Sequence, residues 1–153
     1  PDTVHPGLWR HMTHLKHHGL FAVTPGVWQV RGFDLANMTI IRGQRGWIVI
    51  DPLTSVETAA AALELVNQTL GPRPVSAVIY SHSHGDHFGG VRGVVDAAAL
   101  AAGNLAIIAP EGFMEEATSE NVMAGGAMTR RAAYQFASGL APGATGQMGS
   151  GIG

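Results

Sequence analysis

The sequence predicts an α/β fold in which helices pack on a sheet. Segments 38–41 and 47–50 are rich in β-branched and aromatic residues and flank a short polar segment, so they predict a β-hairpin. Beyond residue 55, helical and strand-like patterns alternate. Strands followed by a helix–strand–helix–strand–helix order are typical of layered α/β proteins.

Turn signals separate the elements of the first third of the chain. Thr24-Pro25-Gly26 divides the apolar segment 21–23 from segment 27–30, which alternates as a half-buried strand does. The second hairpin strand ends at Asp51-Pro52, because proline cannot donate a hydrogen bond to the sheet.

The next elements alternate between helix and strand. Ser55 is a predicted N-cap of a helix that runs to about Leu70, where Gly71-Pro72 ends it. Segment 75–80 is a continuous apolar run and predicts a strand buried on both faces. The remaining predicted elements are helix 91–102, strand 105–109, helix 110–122, helix 127–138 and the glycine-rich loop 139–153.

Composition restricts the classes of function. The chain has 153 residues, of which 46% are hydrophobic and 13% charged, which predicts a compact domain rather than a disordered chain. A net charge of −2 without a basic patch argues against nucleic-acid binding. No apolar run approaches the ~20 residues needed to cross a bilayer. Cysteine is absent, so any metal ligands must be His, Asp or Glu.

Residues 1–19 hold five of the eight histidines. The spacing of His11, His14 and His17 would place them along one side of a helix. A polar surface segment and a metal-gathering segment both fit, and the first is the more common. The chain starts without an initiator methionine or a signal peptide, so we expect a processed or trimmed product.

The strongest functional signal is the segment His-Ser-His-Gly-Asp-His at residues 82–87, here called the histidine motif. It follows the predicted strand 75–80 directly, and open α/β folds bind ligands at such strand ends. Imidazole and carboxylate groups suit Zn²⁺ and related ions, and two such ions can share a bridging hydroxide.

The spacing within the histidine motif fits two ions. In an extended segment, His82 and His84 lie on the same side and can bind one ion together. A turn at Gly85 then directs Asp86 and His87 toward a second ion.

The histidine motif matches HxHxDH, the signature of the metallo-β-lactamase superfamily. Further segments resemble one branch of it, the metal-dependent alkyl sulfatases that hydrolyse dodecyl sulfate in bacteria. The resemblance extends from about residue 6 to residue 135. It is carried by segments 46–54, 80–91, 109–114, 119–125 and 127–131.

The resemblance implies a site for two Zn²⁺ ions, although other divalent ions would suit the same donors. His82 and His84 would bind the first ion. Asp86 and His87 would bind the second, and Asp86 would help orient the bridging water. In the family two glutamates and a further histidine complete the site from downstream, and here no histidine follows His87. Four local acids are weak substitutes because acids near helix starts are usually exposed. They are Glu111, Glu115, Glu116 and Glu120.

The implied fold is the N-terminal half of an αββα metallo-β-lactamase-like sandwich, with residues 1–153 forming part of a catalytic domain. The implied activity is zinc-dependent hydrolysis of alkyl sulfate esters to alcohol and sulfate, once a downstream region completes the site. This chain alone is then expected to be inactive. The implied partners are the substrate, the remainder of the catalytic domain and a second copy in a homodimer, in a periplasmic or secreted location.

Two alternatives stay open on the sequence. The chain could be a non-catalytic half-domain that needs a partner segment, or the substrate could be a β-lactam, a thioester or a lactone. The sulfatase-like segments outside the histidine motif favour sulfate esters over these other substrates.

Three further residues have two interpretations each. Asp51 fits a turn cap and a support for a ligating histidine equally well. Arg130 and Arg131 could attract a sulfate group, but an exposed salt-bridging pair is the more common role for helical arginines.

Overall fold

The computed structural model describes residues 4–149, which form a single mixed sheet with helices packed against it. The strands are β1 (Gly19–Thr24), β2 (Val27–Arg31), β3 (Met38–Arg42), β4 (Trp47–Ile50), β5 (Val75–Ile79) and β6 (Ala106–Ile108). The helices are α1 (Pro6–His14), α2 (Val56–Leu70), α3 (Ala97–Ala101), α4 (Phe113–Thr118) and α5 (Gly125–Phe136). No helix within residues 4–149 is long and apolar enough to span a membrane.

The six strands lie side by side in the order in which they occur in the chain. Strands β1 to β4 are antiparallel, and β3 pairs with β4 in the predicted hairpin, with Ile40 opposite Val49. Strands β4, β5 and β6 are parallel, so their carboxyl ends meet at one edge. Helix α2 makes the crossover between β4 and β5. The predicted α/β class is therefore confirmed.

Helix α2 covers the sheet with a narrow strip of small apolar residues. Ser55 caps it by accepting a hydrogen bond from the Thr58 backbone N–H, as predicted. Its buried residues Ala59, Ala62 and Val66 recur every three to four positions, the spacing of one helix face.

The core is centred on Trp47, which is fully buried. Its indole N–H donates to Asn67 Oδ1 at 2.9 Å, which satisfies the only polar group of the ring. The Trp28 ring packs against it edge-on, and the Arg73 guanidinium lies 5.2 Å from the ring centroid. Through Trp28 and Asn67, these contacts join β2 and α2 to β4.

The predicted helix 91–102 is wrong, because the chain forms two short pieces there. A 3₁₀ turn, Val91–Gly93, packs so tightly on α2 that a Cβ on Gly93 would collide with the Val56 carbonyl oxygen. Asp96 then starts α3 by accepting hydrogen bonds from the backbone N–H groups of Ala98 and Ala99. Close packing and a new N-cap interrupt a sequence that is otherwise favourable for a helix.

Other boundaries also differ from the sequence prediction. In segment 75–80, Val75, Val78 and Tyr80 are buried but the other three residues are only half-buried, so burial on both faces is wrong within the described part of the chain. Helix α4 begins at Phe113 rather than Pro110, because Gly112 at φ +75° forms its left-handed start. A π-helical turn, Ser119–Met123, follows it.

Both ends of the described region lie at the surface. The five histidines of segment 1–19 are all exposed, two of them on α1 and three beside it, while residues 1–3 lie outside the described residues. Residues 139–149 form turns with one isolated bridge, between Pro142 and Gln147, as expected for a loop. The end of that predicted loop, residues 150–153, also lies outside the described residues.

The loop between β2 and β3 is tied to the start of α2 by Asp34. Its carboxylate accepts hydrogen bonds from the Thr54 N–H and hydroxyl, the Thr58 hydroxyl and the Leu35 N–H, at 2.6–3.0 Å. Burial by itself raises the pKa of Asp34, but these hydrogen bonds outweigh it and hold the pKa below the usual 3.8.

We predict that Asp34→Asn lowers the free energy of unfolding by about 1 kcal/mol at neutral pH, since the carboxylate is partly open to solvent. A pKa lowered by folding stabilises the protein above pH 3.8, and the benefit is lost as the pH falls through the lowered pKa. The difference from wild type in urea midpoint should therefore shrink below pH 3.8. A constant difference across that range would contradict the assignment, and Glu64→Gln is the control for loss of one exposed charge.

Gly90 allows the segment after the histidine motif to pass directly over the turn before α2. A Cβ at this position would collide with the carbonyl oxygens of Pro52 and Ser55 and approach the Ala59 side chain. Its own N–H donates to the Leu53 carbonyl oxygen at 2.8 Å. Gly90 therefore allows these two backbone segments to lie in direct contact.

We predict that Gly90→Ala lowers the free energy of unfolding by about 1–3 kcal/mol, because rigid backbone atoms must move. Gly126→Ala is the matched control, since a Cβ there meets only the end of the Arg130 side chain in α5 and should be neutral or stabilising. Urea unfolding midpoints measure both. Equal midpoints for the two variants would contradict the packing argument.

Candidate metal centre

The histidine motif lies at the carboxyl edge of the parallel strands. Strand β5 ends at Ile79, and Tyr80 and Ser81 lead directly into the motif. Strand β4 ends beside it, and Asp51 is its first residue beyond the sheet. The motif finishes in a 3₁₀ turn, Gly85–His87. Gly85 does not have a positive φ, so its left-handed freedom is not what makes this bend.

Asp51 is a buried carboxylate that holds the motif to the end of β4. Its Oδ1 accepts from the Ser81 N–H at 2.8 Å, and its Oδ2 accepts from the Ser81 hydroxyl at 2.6 Å. His87 Nδ1 lies 2.8 Å from the same Oδ2. The backbone at Asp51 has φ +56°, a left-handed conformation that Asp tolerates better than most residues. Asp51 thus supports a histidine of the motif, the second of its two predicted roles.

These hydrogen bonds determine which ring nitrogens carry protons. A carboxylate only accepts, so His87 donates from Nδ1 and keeps the lone pair on Nε2. The single hydroxyl proton of Ser81 goes to Asp51, so Ser81 Oγ accepts from His82 Nδ1, 2.9 Å away. His82 therefore also presents Nε2 as its free lone pair.

The three imidazoles of the motif form a compact cluster. The His82 ring centroid lies 4.5 Å from that of His84 and 4.0 Å from that of His87. Burial lowers the pKa of His82, and the neighbouring charges of His87 and His84 lower it further. A neutral His82 is the form that can bind a metal ion.

Asp86 and His87 are also adjacent through their side chains. Asp86 Oδ2 lies 3.2 Å from His87 Nε2. Two atoms bound to one zinc ion at about 2.1 Å each lie about 3–3.5 Å apart. This contact therefore has the spacing of two ligands of the same ion.

The π-helical turn contributes two contacts that the sequence did not predict. Glu120 Oε1 lies 3.0 Å from His84 Nε2, and Asn121 Nδ2 donates to the Ser83 carbonyl oxygen at 3.0 Å. The sequence ranked Glu120 with Glu111, Glu115 and Glu116, but those three are exposed and Glu120 alone approaches the motif. The sequence does show a carboxylate followed by an amide at Glu120-Asn121, which could have suggested a functional turn. Nothing in the sequence predicted that this turn lies beside the motif.

The donor chemistry of the motif fits Zn²⁺ in part. Three imidazoles and one carboxylate are the residue types that zinc prefers when cysteine is absent. However, no group of three or more His, Asp or Glu side chains within residues 4–149 is arranged to hold an ion on its own. The described residues therefore supply pairs of donors, and a closed site needs further ligands or a movement of these side chains.

Comparison with known proteins decides the family. The model of the metallo-beta-lactamase superfamily matches residues 31–148, which include all of β3 to β6 and the histidine motif. The chain belongs to the metallo-β-lactamase superfamily.

Three similar proteins are sulfatases by name. The chain is 55% identical over its whole length to a linear primary-alkylsulfatase of Pseudomonas sp., of which it covers 23%. It is 49% identical over 99% of its length to an alkyl/aryl-sulfatase of Saccharomyces cerevisiae, of which it covers 24%. A solved stereoselective inverting sec-alkylsulfatase from Pseudomonas sp. superposes with a TM-score of 0.90 at 52% identity, covering 99% of this chain and 24% of that one. The chain thus spans about a quarter of the length of these relatives.

An open cleft of about 370 Å³ adjoins the histidine motif. His84 and Asp86 are among its lining residues, and Leu35, Met128 and Phe136 provide apolar surface. The cleft places a hydrophobic lining next to the candidate ligands.

Arg130 and Arg131 lie on α5 and are exposed. Neither forms an ion pair with another residue in the described part of the chain. The salt-bridge interpretation is therefore wrong for residues 4–149, and attraction of a sulfate group stays a prediction.

We predict that Asp51→Asn lowers the free energy of unfolding by about 1–3 kcal/mol. Asparagine tolerates the same backbone conformation, but either orientation of its amide sets an NH₂ group against a donor from Ser81 or His87. The urea midpoint measures the loss, with Glu64→Gln as the control for charge. A midpoint equal to that of the control would show that the shared carboxylate does not hold this edge together.

Proposed function

We propose that the full-length protein containing this chain hydrolyses alkyl sulfate esters to an alcohol and sulfate, with two zinc ions held in part by the histidine motif. The observation that carries the proposal is the motif beside an apolar cleft, in a chain about half identical to alkylsulfatases. An alkyl sulfate has an anionic head group that suits the metal ions and an apolar tail that suits the cleft.

The hydrogen bonds assign the donor atoms in this proposal. His82 Nε2 and His84 would bind one ion, and Asp86 and His87 Nε2 would bind the other. Zinc bound there would supply a water of lowered pKa and neutralise charge on the sulfate group. Asp86 would also orient the attacking water by accepting a hydrogen bond from it, and Asp51 would keep the His87 ring in place.

The alkyl tail would lie in the cleft, against Leu35, Met128 and Phe136. Burial of a methylene group contributes about 0.8 kcal/mol, so several carbons of the tail would add substantially to binding. These three side chains line the same cleft as His84 and Asp86, so the sulfate end would lie at the donors.

The remaining ligands would come from outside residues 1–153, in keeping with the share of the relatives that this chain covers. Large exposed apolar side chains would then pack against that further part of the protein. They include Ile107, Ile108, Met114, Val122, Met123 and Tyr134, which are 39–92% exposed. Exposed apolar side chains of this size are often found at interfaces.

We predict that the zinc-loaded full-length protein releases sulfate from C8–C12 alkyl sulfates. Removal of the metal by a chelator should abolish release, and added zinc should restore it. Asp86→Asn and His87→Ala should each reduce kcat/KM at least ~100-fold, because each removes a donor to the second ion. His17→Ala, which alters an exposed histidine outside the motif, is the matched control and should retain wild-type activity.

A different substrate class would overturn this proposal. If the zinc-loaded protein leaves alkyl sulfates intact while it hydrolyses a β-lactam, a thioester or a lactone, the activity is another one of the superfamily. For an active protein, ¹⁸O-labelled water traced into sulfate or into the alcohol identifies whether water attacks sulfur or carbon.

A further inference from the structure

We propose that Leu35 is a specificity-determining residue for the alkyl tail of the substrate, and that Asp34 is the positioning residue that holds Leu35 in the cleft. The inference rests on the proposed function, because the substrate class is taken from there. It assigns a role in substrate selection to the loop between β2 and β3, residues 32–37.

The apolar side chains of this loop divide between the core and the cleft. Ala36 is buried in the core, and Phe33 packs against the core from a half-buried position. Leu35 lies between these two residues in the chain and lines the cleft together with His84 and Asp86. Leu35 is therefore the apolar group that this loop presents to a ligand bound at the histidine motif.

Asp34 fastens the loop directly beside Leu35. Its Oδ1 accepts hydrogen bonds from the Leu35 backbone N–H and from the Thr54 hydroxyl, each at 2.6 Å. Its Oδ2 accepts from the Thr54 N–H at 3.0 Å and from the Thr58 hydroxyl at 2.6 Å. Burial opposes ionisation of Asp34, but these hydrogen bonds keep its pKa below the usual 3.8, so the acceptor is charged at neutral pH. Hydrogen bonds to a charged acceptor are stronger than those between neutral groups.

The groups that donate to Asp34 belong to a well-packed part of the chain. Thr58 lies in the first turn of α2, whose inner face is fully buried against the sheet. Thr54 directly follows Leu53, which is also fully buried. The carboxylate of Asp34 therefore ties the backbone of Leu35 to the core.

The other large apolar residues of the cleft lie on a less firmly packed element. Met128 and Phe136 belong to α5, and no residue of that helix, all of which is described, is buried. No side chain caps the start of α5 either. A side chain that is already held in place loses less conformational freedom when a ligand binds. Leu35 is thus better placed than the two residues of α5 to select the tail.

The first test measures binding of 1-decanesulfonate to the zinc-loaded full-length protein by isothermal titration calorimetry, since water does not cleave the C–S bond of this analogue. We expect Leu35→Ala to weaken this binding about 5–20-fold, because tail carbons lose an apolar partner. The dissociation constant of inorganic sulfate, which has no tail, should stay within about twofold of the wild-type value. Leu8→Ala removes the same side chain from a position on α1 that is 46% exposed, and it should bind as the wild type does.

The second test removes the carboxylate that positions Leu35. Asp34→Ala should weaken decanesulfonate binding about 3–10-fold, because the loop must then be ordered when the ligand binds. The double variant Asp34→Ala/Leu35→Ala should bind no more than about twofold more weakly than Leu35→Ala, since no Leu35 contact is left to position. Thr58→Val removes one donor to Asp34 at nearly unchanged volume and should give a smaller loss of the same kind. Glu64→Ala, which removes an exposed carboxylate elsewhere, is the control.

Steady-state kinetics distinguish positioning from a general folding defect. For decyl sulfate, Leu35→Ala and Asp34→Ala should raise KM with little change in kcat, because the groups at the reacting end are not altered. A folding defect would instead lower kcat for alkyl sulfates of every tail length.

Two results would overturn the inference and leave the proposed function intact. In the first, Leu35→Ala binds decanesulfonate as tightly as the wild type does. In the second, the losses of the two single variants multiply in full in the double variant, so that Asp34 does not act through Leu35. If the wild type binds decanesulfonate but releases no sulfate from alkyl sulfates, the proposed function fails, and weaker binding by Leu35→Ala still supports the role of Leu35 in the cleft.

Discussion

The candidate site depends on one buried carboxylate, that of Asp51. It joins the end of β4 to the end of β5 and at the same time accepts from His87, so the sheet edge and the motif share one acceptor. A buried carboxylate is stable only when its oxygens are satisfied. Here the protons from the Ser81 hydroxyl and His87 Nδ1 satisfy Asp51 and also orient two histidines of the motif. The same hydrogen bonds therefore stabilise this edge of the sheet and orient the rings of His82 and His87.

The sequence predicted the parts of the fold that follow from local patterns. The hairpin of β3 and β4 and the cap of α2 each depend on residues close together in the chain, and both are confirmed. The helix predicted over residues 91–102 failed because the contact that breaks it, between Gly93 and Val56, joins residues far apart in the chain. The prediction that β5 is buried on both faces also failed, because burial depends on which distant segments pack against the sheet.

For the candidate site, the sequence supplied the residue types but not their supports. His82, His84, Asp86 and His87 could be named from spacing, and their role as ligands stays a prediction. Asp51 had two interpretations that only the 2.8 Å contact with His87 separates. The approach of Glu120 to His84 crosses 36 residues and depends on a π-helical turn, for which no local sequence rule exists.

The strand order has a consequence for how this region assembles. Within the described residues, each strand pairs only with its neighbours in the chain, so the sheet needs no partner strand from further along it. Such a sheet can grow in the direction of synthesis, and loop closure stays short at each step apart from the α2 crossover. The edge that carries Asp51 and Ser81 is complete as soon as β5 joins β4. The hydrogen bonds of Asp51 to Ser81 and His87 thus require no strand beyond β5.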